Sequence, residues 1–145
     1  MFPLRKILVP TDFSPGATTA LDCAAELAKK LDAEIVLLHV LPTLATYVSV
    51  PSLVPLPPQW VESVRMQAEA ELAKEANRVA HAKITTQLRD GPIAETVLAA
   101  AVELGAGLIA IGTHGRRGLS HFLLGSVAER VVRHATVPVL TVRAS

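Results

Sequence analysis

The chain has 145 residues, of which 50% are hydrophobic, enough for one domain of that length to bury a core without disulfides or a structural metal. Its 14 basic and 13 acidic residues leave a net charge of +1, no basic run exceeds a pair such as Arg5-Lys6 or Arg116-Arg117, and aromatic residues make up only 3%. These values exclude the basic footprint and stacking platforms of a nucleic-acid binder, no apolar run nears the ~20 residues of a membrane span, and the single Cys23 rules out an internal disulfide.

Lys6-Ile7-Leu8-Val9 is a short apolar run stopped by Pro10, as in a strand buried on both faces. Ser14 is then an N-cap with Pro15 at the first helical position. Ala17, Leu21, Ala24, Ala25, Ala28 and Leu31 follow at helical spacing and place Cys23 among small core residues. Glu34 to Val40 reads as a second buried strand that includes His39 as a satisfied core histidine. Five prolines interrupt any pattern across residues 41–59, which read as a loop. From Trp60 to about His81, apolar Trp60, Val61, Val64, Ala68, Leu72, Ala76 and Val79 recur every three or four residues, predicting a long amphipathic helix.

Lys83 to Arg89 alternates weakly, as an edge strand does, and Gly91-Pro92 opens a helix carried by Ile93, Val97, Leu98, Ala101 and Leu104. A strand over 107–112, a helix over 126–134 and a strand over 138–142 complete the chain, with no internal repeat. Alternating strands and helices predict an α/β fold: a parallel sheet with helices on both faces, in one domain over residues 1–145. The segment from Met1 to Pro10 carries no small-residue cleavage signal, so a cytoplasmic protein is expected.

The spaced glycines carry the functional signal. Gly112 and Gly115 follow the fourth strand, and after nine more residues come Gly125-Ser126 at a helix start. Glycine lets a backbone N–H turn toward a phosphate, and a helix N-terminus favours an anion. Ser126 to Glu129 also fits a capping box, which would make Gly125-Ser126 a helix start and nothing more. The twelve-residue loop from Thr113 to Leu124 favours phosphate binding, because loops of that length tend to be functional.

In open sheets of this type ligands bind beyond the strands' carboxyl ends, where the strand order reverses. Asp12 lies there. Ser14 already supplies the helix cap, so the Asp12 carboxylate is a candidate acceptor for ribose hydroxyls. Arg116 and Arg117 are either solvated loop charges or phosphate partners, and Arg116 is the better candidate for a phosphate.

Other motifs fail. No Gly-Lys pair exists for a Walker loop, Gly105-Ala106-Gly107 precedes its strand, and Gly118-Leu119-Ser120-His121-Phe122 lacks the final glycine of a nucleophile elbow. Five histidines and one cysteine show no zinc-ligand spacing.

With Ile7-Leu8-Val9-Pro10-Thr11-Asp12-Phe13-Ser14, His39-Val40, the glycine set and the closing Val137-Pro138-Val139-Leu140-Thr141-Val142, the chain resembles the universal stress protein family over nearly its whole length. The resemblance implies a Rossmann-like five-stranded parallel sheet ordered 3-2-1-4-5. The glycine pattern is similar to that of the family's ATP-binding branch. On that likeness Asp12 holds the ribose with Pro10 and Thr11 beside it, and Val40 meets adenine through its backbone. Gly112 and Gly115 admit the phosphates, Gly125, Ser126 and Val127 bind them, and Ile111 and Arg116 complete the candidate set. The likeness also implies a homodimer through the last strand, at Val137, Val139, Leu140 and Val142. The proline-rich segment 41–59 departs from the pattern.

Three functions follow as expectations: an ATP-binding, dimeric stress-response module; at most a slow ATP hydrolase or phosphotransfer enzyme, with His114 or His121 as acid or base and Mg²⁺ or Mn²⁺ held by the phosphates; or a structural dimer acting through protein contacts. No residue stands out as a catalytic base.

Overall fold

The computed structural model describes residues 3–42, 57–114 and 124–144. Among them five strands and four helices alternate: β1 (Lys6–Pro10), α1 (Pro15–Leu31), β2 (Glu34–Leu41), α2 (Pro58–Arg78), β3 (Lys83–Asp90), α3 (Ile93–Glu103), β4 (Leu108–Gly112), α4 (Ser126–His134) and β5 (Val139–Val142). The strands form one parallel sheet in the order β3-β2-β1-β4-β5, as expected.

Both faces of the sheet are covered, and strand alternation assigns the residues to each face. Ile7, Val9, Ile35, Leu37 and Ala110 pack with Leu21, Ala24 and Ala28 of α1 and Leu72 of α2. Leu8, Val36, Leu38, Ile109 and Ile111 pack on the opposite face with Val97 and Ala101 of α3 and Ala128 and Val131 of α4. Because β1 is buried on both sides, its continuous apolar run carried no alternation to read.

Local chemistry sets the helix ends. The Ser14 side chain accepts from the Ala17 N–H at 3.3 Å, and Pro15 opens α1. At the far end Asp32 takes the left-handed conformation at φ 52°, and Lys83 pairs with its carboxylate at 2.9 Å, holding that carboxyl below its ordinary pKa. Helix α3 stops at Gly105 (φ 65°), where Ala106 N–H returns to Ala101 and Gly105 N–H to Val102, the paired closure of a Schellman turn.

Two expectations about side chains do not hold. Cys23 is exposed, because Ala20, Leu21, Ala24 and Ala25 take the sheet-facing side of α1 and leave Asp22 and Cys23 outward. Helix α2 starts two residues earlier and ends three earlier than predicted, and Trp60, Val61 and Val64 of its apolar stripe are exposed. Only Ala68 and Leu72 of α2 are buried. Ion pairs add to its attachment: Arg65 with Asp90 of β3, and Arg78 with Asp22 of α1.

Helix α1 and strand β4 meet at backbone distance. A Cβ on Gly112 would stand 2.8 Å from both the carbonyl carbon and oxygen of Gly16, and one on Gly16 would stand 2.6 Å from the carbonyl oxygen of His114. These neighbours are backbone and cannot rotate away. Gly112→Ala is therefore expected to cost about 1–3 kcal/mol, the range for overpacking, read as a lower urea midpoint; an unchanged midpoint would contradict the close approach. Leu72→Ala removes the one large buried anchor of α2 and is expected to cost about 2–5 kcal/mol by the same measurement.

Candidate functional site

The strand order reverses between β1 and β4, and Pro10 opens the gap there. Backbone groups of alternate residues in a strand point to alternate neighbours. Arg5 accepts from Glu34 on the β2 side and Lys6 from Gly107 on the β4 side, so Pro10 belongs to the β4-facing set. It has no N–H to donate. Pairing of β1 with β4 runs only through Ile7–Leu108 and Leu8–Ile109, while β1 stays paired with β2 as far as Pro10.

Beyond this point lies a cavity of about 770 Å³, within the usual range for small-molecule sites. All nine candidate residues that are described line it: Pro10, Thr11 and Asp12 from β1 and its loop, Val40 from β2, Ile111 and Gly112 from β4, and Gly125, Ser126 and Val127 at the start of α4. Gly115 and Arg116 lie outside the described residues, as do Arg117, His121 and most of segment 41–59.

The β1–α1 loop is tightly tied. Thr11 N–H donates to the Leu38 carbonyl at 2.8 Å, Thr11 Oγ1 accepts from Phe13 N–H at 3.0 Å, and Asp12 Oδ1 accepts from Ser14 N–H at 3.0 Å. The Asp12 carboxylate is thus part of an Asx turn and is not left over by the Ser14 cap, as the sequence reading supposed. Phe13 takes φ 63°, a left-handed conformation that is uncommon outside glycine.

Strand register presents Val40. Leu38 faces β1 through its carbonyl, and Leu41 faces β3, accepting from Gly91 N–H at 2.9 Å. Val40 therefore faces the β1 side, past the last β1–β2 pair at Pro10–Leu38. Its N–H and C=O point together into the space that β1 has vacated, while its side chain is buried.

On the other side, the glycine spacing closes a loop on itself. Gly125 N–H donates to the Thr113 carbonyl at 2.6 Å, so the residues after β4 and the start of α4 are neighbours although twelve residues separate Gly112 from Gly125. Gly125 is the N-cap and Ser126 the first helical residue, with no side-chain capping bond. Glu129 pairs with Arg133 at 2.7 Å, so the capping box does not form. The first-turn N–H groups of α4 and the positive end of its dipole meet the cavity. Gly112 also lines it, but the space of its missing Cβ is filled by α1 at Gly16.

Sequence reading missed several wall residues. His39, taken for a core histidine, is half-buried and lines the cavity beside Phe13, with its Nδ1 2.7 Å from the Thr11 carbonyl oxygen. Its place near the carboxyl end of β2 was the available signal. Gln67 and Glu71 of α2 also line the cavity, and this depends on how α2 packs, which no local pattern encodes. His114 Nδ1 meets Thr113 Oγ1 at 3.0 Å, while its Nε2 is buried without a partner among the described residues. Among those residues no group of three or more His, Cys, Asp or Glu is placed to hold a metal ion, and no helix is long and apolar enough to cross a membrane.

The chain can now be set beside known proteins. A model of the universal stress protein family matches residues 3–143. Universal stress protein MJ0531 of Methanocaldococcus jannaschii is 35% identical over 146 aligned residues, which cover 96% of this chain and 82% of that protein. Among solved structures, that of hypothetical protein MJ0577 superposes with a TM-score of 0.79 at 26% identity, covering 98% of this chain and 97% of the other. A universal stress protein in complex with cAMP superposes with a TM-score of 0.71 at 23% identity, covering 98% of each chain. The match across residues 3–143 and the shared fold lead to one conclusion: this chain belongs to the universal stress protein family.

Proposed function

We propose that the chain binds ATP in this cavity and works as a dimeric, nucleotide-dependent stress-response module. The observation that carries the reading is the convergence on one cavity of three unlike features: the N–H and C=O of Val40, the Asp12 carboxylate, and the N-terminus of α4. A paired donor and acceptor match the edge of adenine, a carboxylate accepts from ribose hydroxyls, and a helix N-terminus with free N–H groups favours phosphate. The structural relative that carries cAMP supports the fold's capacity for an adenine nucleotide. The residues that support ATP in this chain are its own. Mg²⁺ or Mn²⁺ would enter with the nucleotide, on its phosphates. Chemistry on the phosphates is not part of the proposal, because His114, which follows the Thr113 that accepts from Gly125 at the start of α4, has its Nε2 buried.

Dimerisation is proposed through β5. This edge strand accepts from the β4 side through the carbonyls of Pro138 and Val142, so Val139 and Thr141 turn their backbone groups outward. Val137, Val139 and Leu140 are partly buried against the core, and a second β5 would cover both the apolar edge and the open ladder.

Calorimetric titration of nucleotide-stripped protein is expected to give ATP binding at one site per chain. Asp12→Asn keeps the acceptor for Ser14 N–H and removes the charge, so it should leave the melting temperature nearly unchanged and weaken ATP at least about tenfold, the scale of hydrogen bonds to a charged group. Unchanged affinity would remove Asp12 from the site, and no heat with ATP, ADP or AMP would end the nucleotide reading. For the dimer, Thr141→Pro deletes an outward N–H and leaves the β4 ladder intact. Sedimentation should show a dimer become a monomer, whereas a monomeric wild-type chain would contradict the interface.

A further inference from the structure

The His39 side chain fastens the turn that carries Asp12 to the strand that carries Val40. Leu38 and His39 are consecutive in β2, and both hold the same residue of the β1–α1 loop: the Leu38 carbonyl takes Thr11 N–H at 2.8 Å, and His39 Nδ1 stands 2.7 Å from the Thr11 carbonyl oxygen. A carbonyl only accepts, so Nδ1 carries the proton in this contact. Thr11 is thereby held through its donor by one residue and through its acceptor by the next.

The turn that follows needs such fastening. Phe13 holds a left-handed conformation at φ 63°, and conformations of that kind persist when the surroundings over-determine them. Part of that constraint is again His39, whose ring lies 4.5 Å from the Phe13 ring, centroid to centroid, at 30°. The imidazole therefore grips the residue before Asp12 by a hydrogen bond and the residue after it by a ring contact. Val40 follows His39 directly in β2.

We propose that His39 is a positioning residue of the nucleotide site, which sets the Asp12 carboxylate at the distance from Val40 that lets one nucleotide engage both. The inference rests on the nucleotide reading and deepens it: His39 acts on the ribose through Thr11 and Asp12, without itself reading the base. Ribose recognition then depends on the Nδ1–H donor at position 39, beyond the bulk of the ring.

The test compares ATP with 2′,3′-dideoxy-ATP, which lacks the ribose hydroxyls, by calorimetry on the full chain. In the wild-type protein ATP is expected to bind about tenfold tighter than the dideoxy analogue, the scale of hydrogen bonds to a carboxylate. His39→Phe keeps an aromatic ring and loses the donor, and the ratio of the two affinities is expected to fall to near one. His39→Asn carries an amide N–H close to the Nδ1 position and is expected to keep the ratio. His39→Leu, which also lacks the donor, replaces His39→Phe in the comparison if the latter does not fold. A ratio unchanged in the donor-less variant overturns the inference and leaves the nucleotide reading standing. A ratio lost in His39→Asn as well assigns any effect to the ring and overturns the hydrogen-bond account. Wild-type protein that binds neither nucleotide overturns both readings together.

Discussion

The site exists because β1 stops pairing with β4 before it stops pairing with β2. A single missing donor, the absent N–H of Pro10 on the side facing β4, accounts for that difference, and it falls where the strand order reverses. β2 and β4 both extend past the break, to Leu41 and Gly112. What they leave between them, among the described residues, is backbone without a strand partner, in a sheet whose central strands are buried on both faces. Burial of polar backbone without partners is costly, so a gap of this kind is stable where water or a ligand can fill it.

The elements around the gap are placed by packing that does not involve a ligand. Gly112 and Gly16 bring β4 and α1 to backbone contact, which seats the capped start of α1 at the rim. The bond from Gly125 to Thr113 returns the chain to the end of β4 and aims the start of α4 into the same space. Glycine thus has two uses here. At Gly112 it admits another helix, and at Gly125 it caps a helix whose first turn has no side-chain capping bond among the described residues. The sequence motif joins both uses under one spacing, which is why the glycines alone could not tell packing from binding.

Much of the fold was legible because local signals agreed with one another. Ser14-Pro15, the buried runs at Ile7-Leu8-Val9 and Ile35 to Leu38, and the weak alternation of β3 each point to the element that forms. The strand order came from the family resemblance, since no periodicity encodes which strands become neighbours. Side-chain orientation was less legible. Cys23 sits among alanines yet faces outward, and the apolar residues at the start of α2 stay exposed because the sheet is covered from Ala68 onward. At the site, Asp12 was readable from its distance to β1, but its bond to Ser14 was not, and His39 was hidden by its place within a hydrophobic strand. Both depend on the turn at Phe13, whose positive φ has no marker in a residue that is not glycine.

The central claim is that one ligand spans the gap, from the edge of β2 to the start of α4. An NMR titration with ATP that follows the backbone amides of Val40, Ser126 and Val127 tests this most directly. The account predicts that all three shift together along one saturating curve. Shifts at Ser126 and Val127 with Val40 unmoved would reduce the site to an anion pocket, and no shift at any of the three would contradict the account.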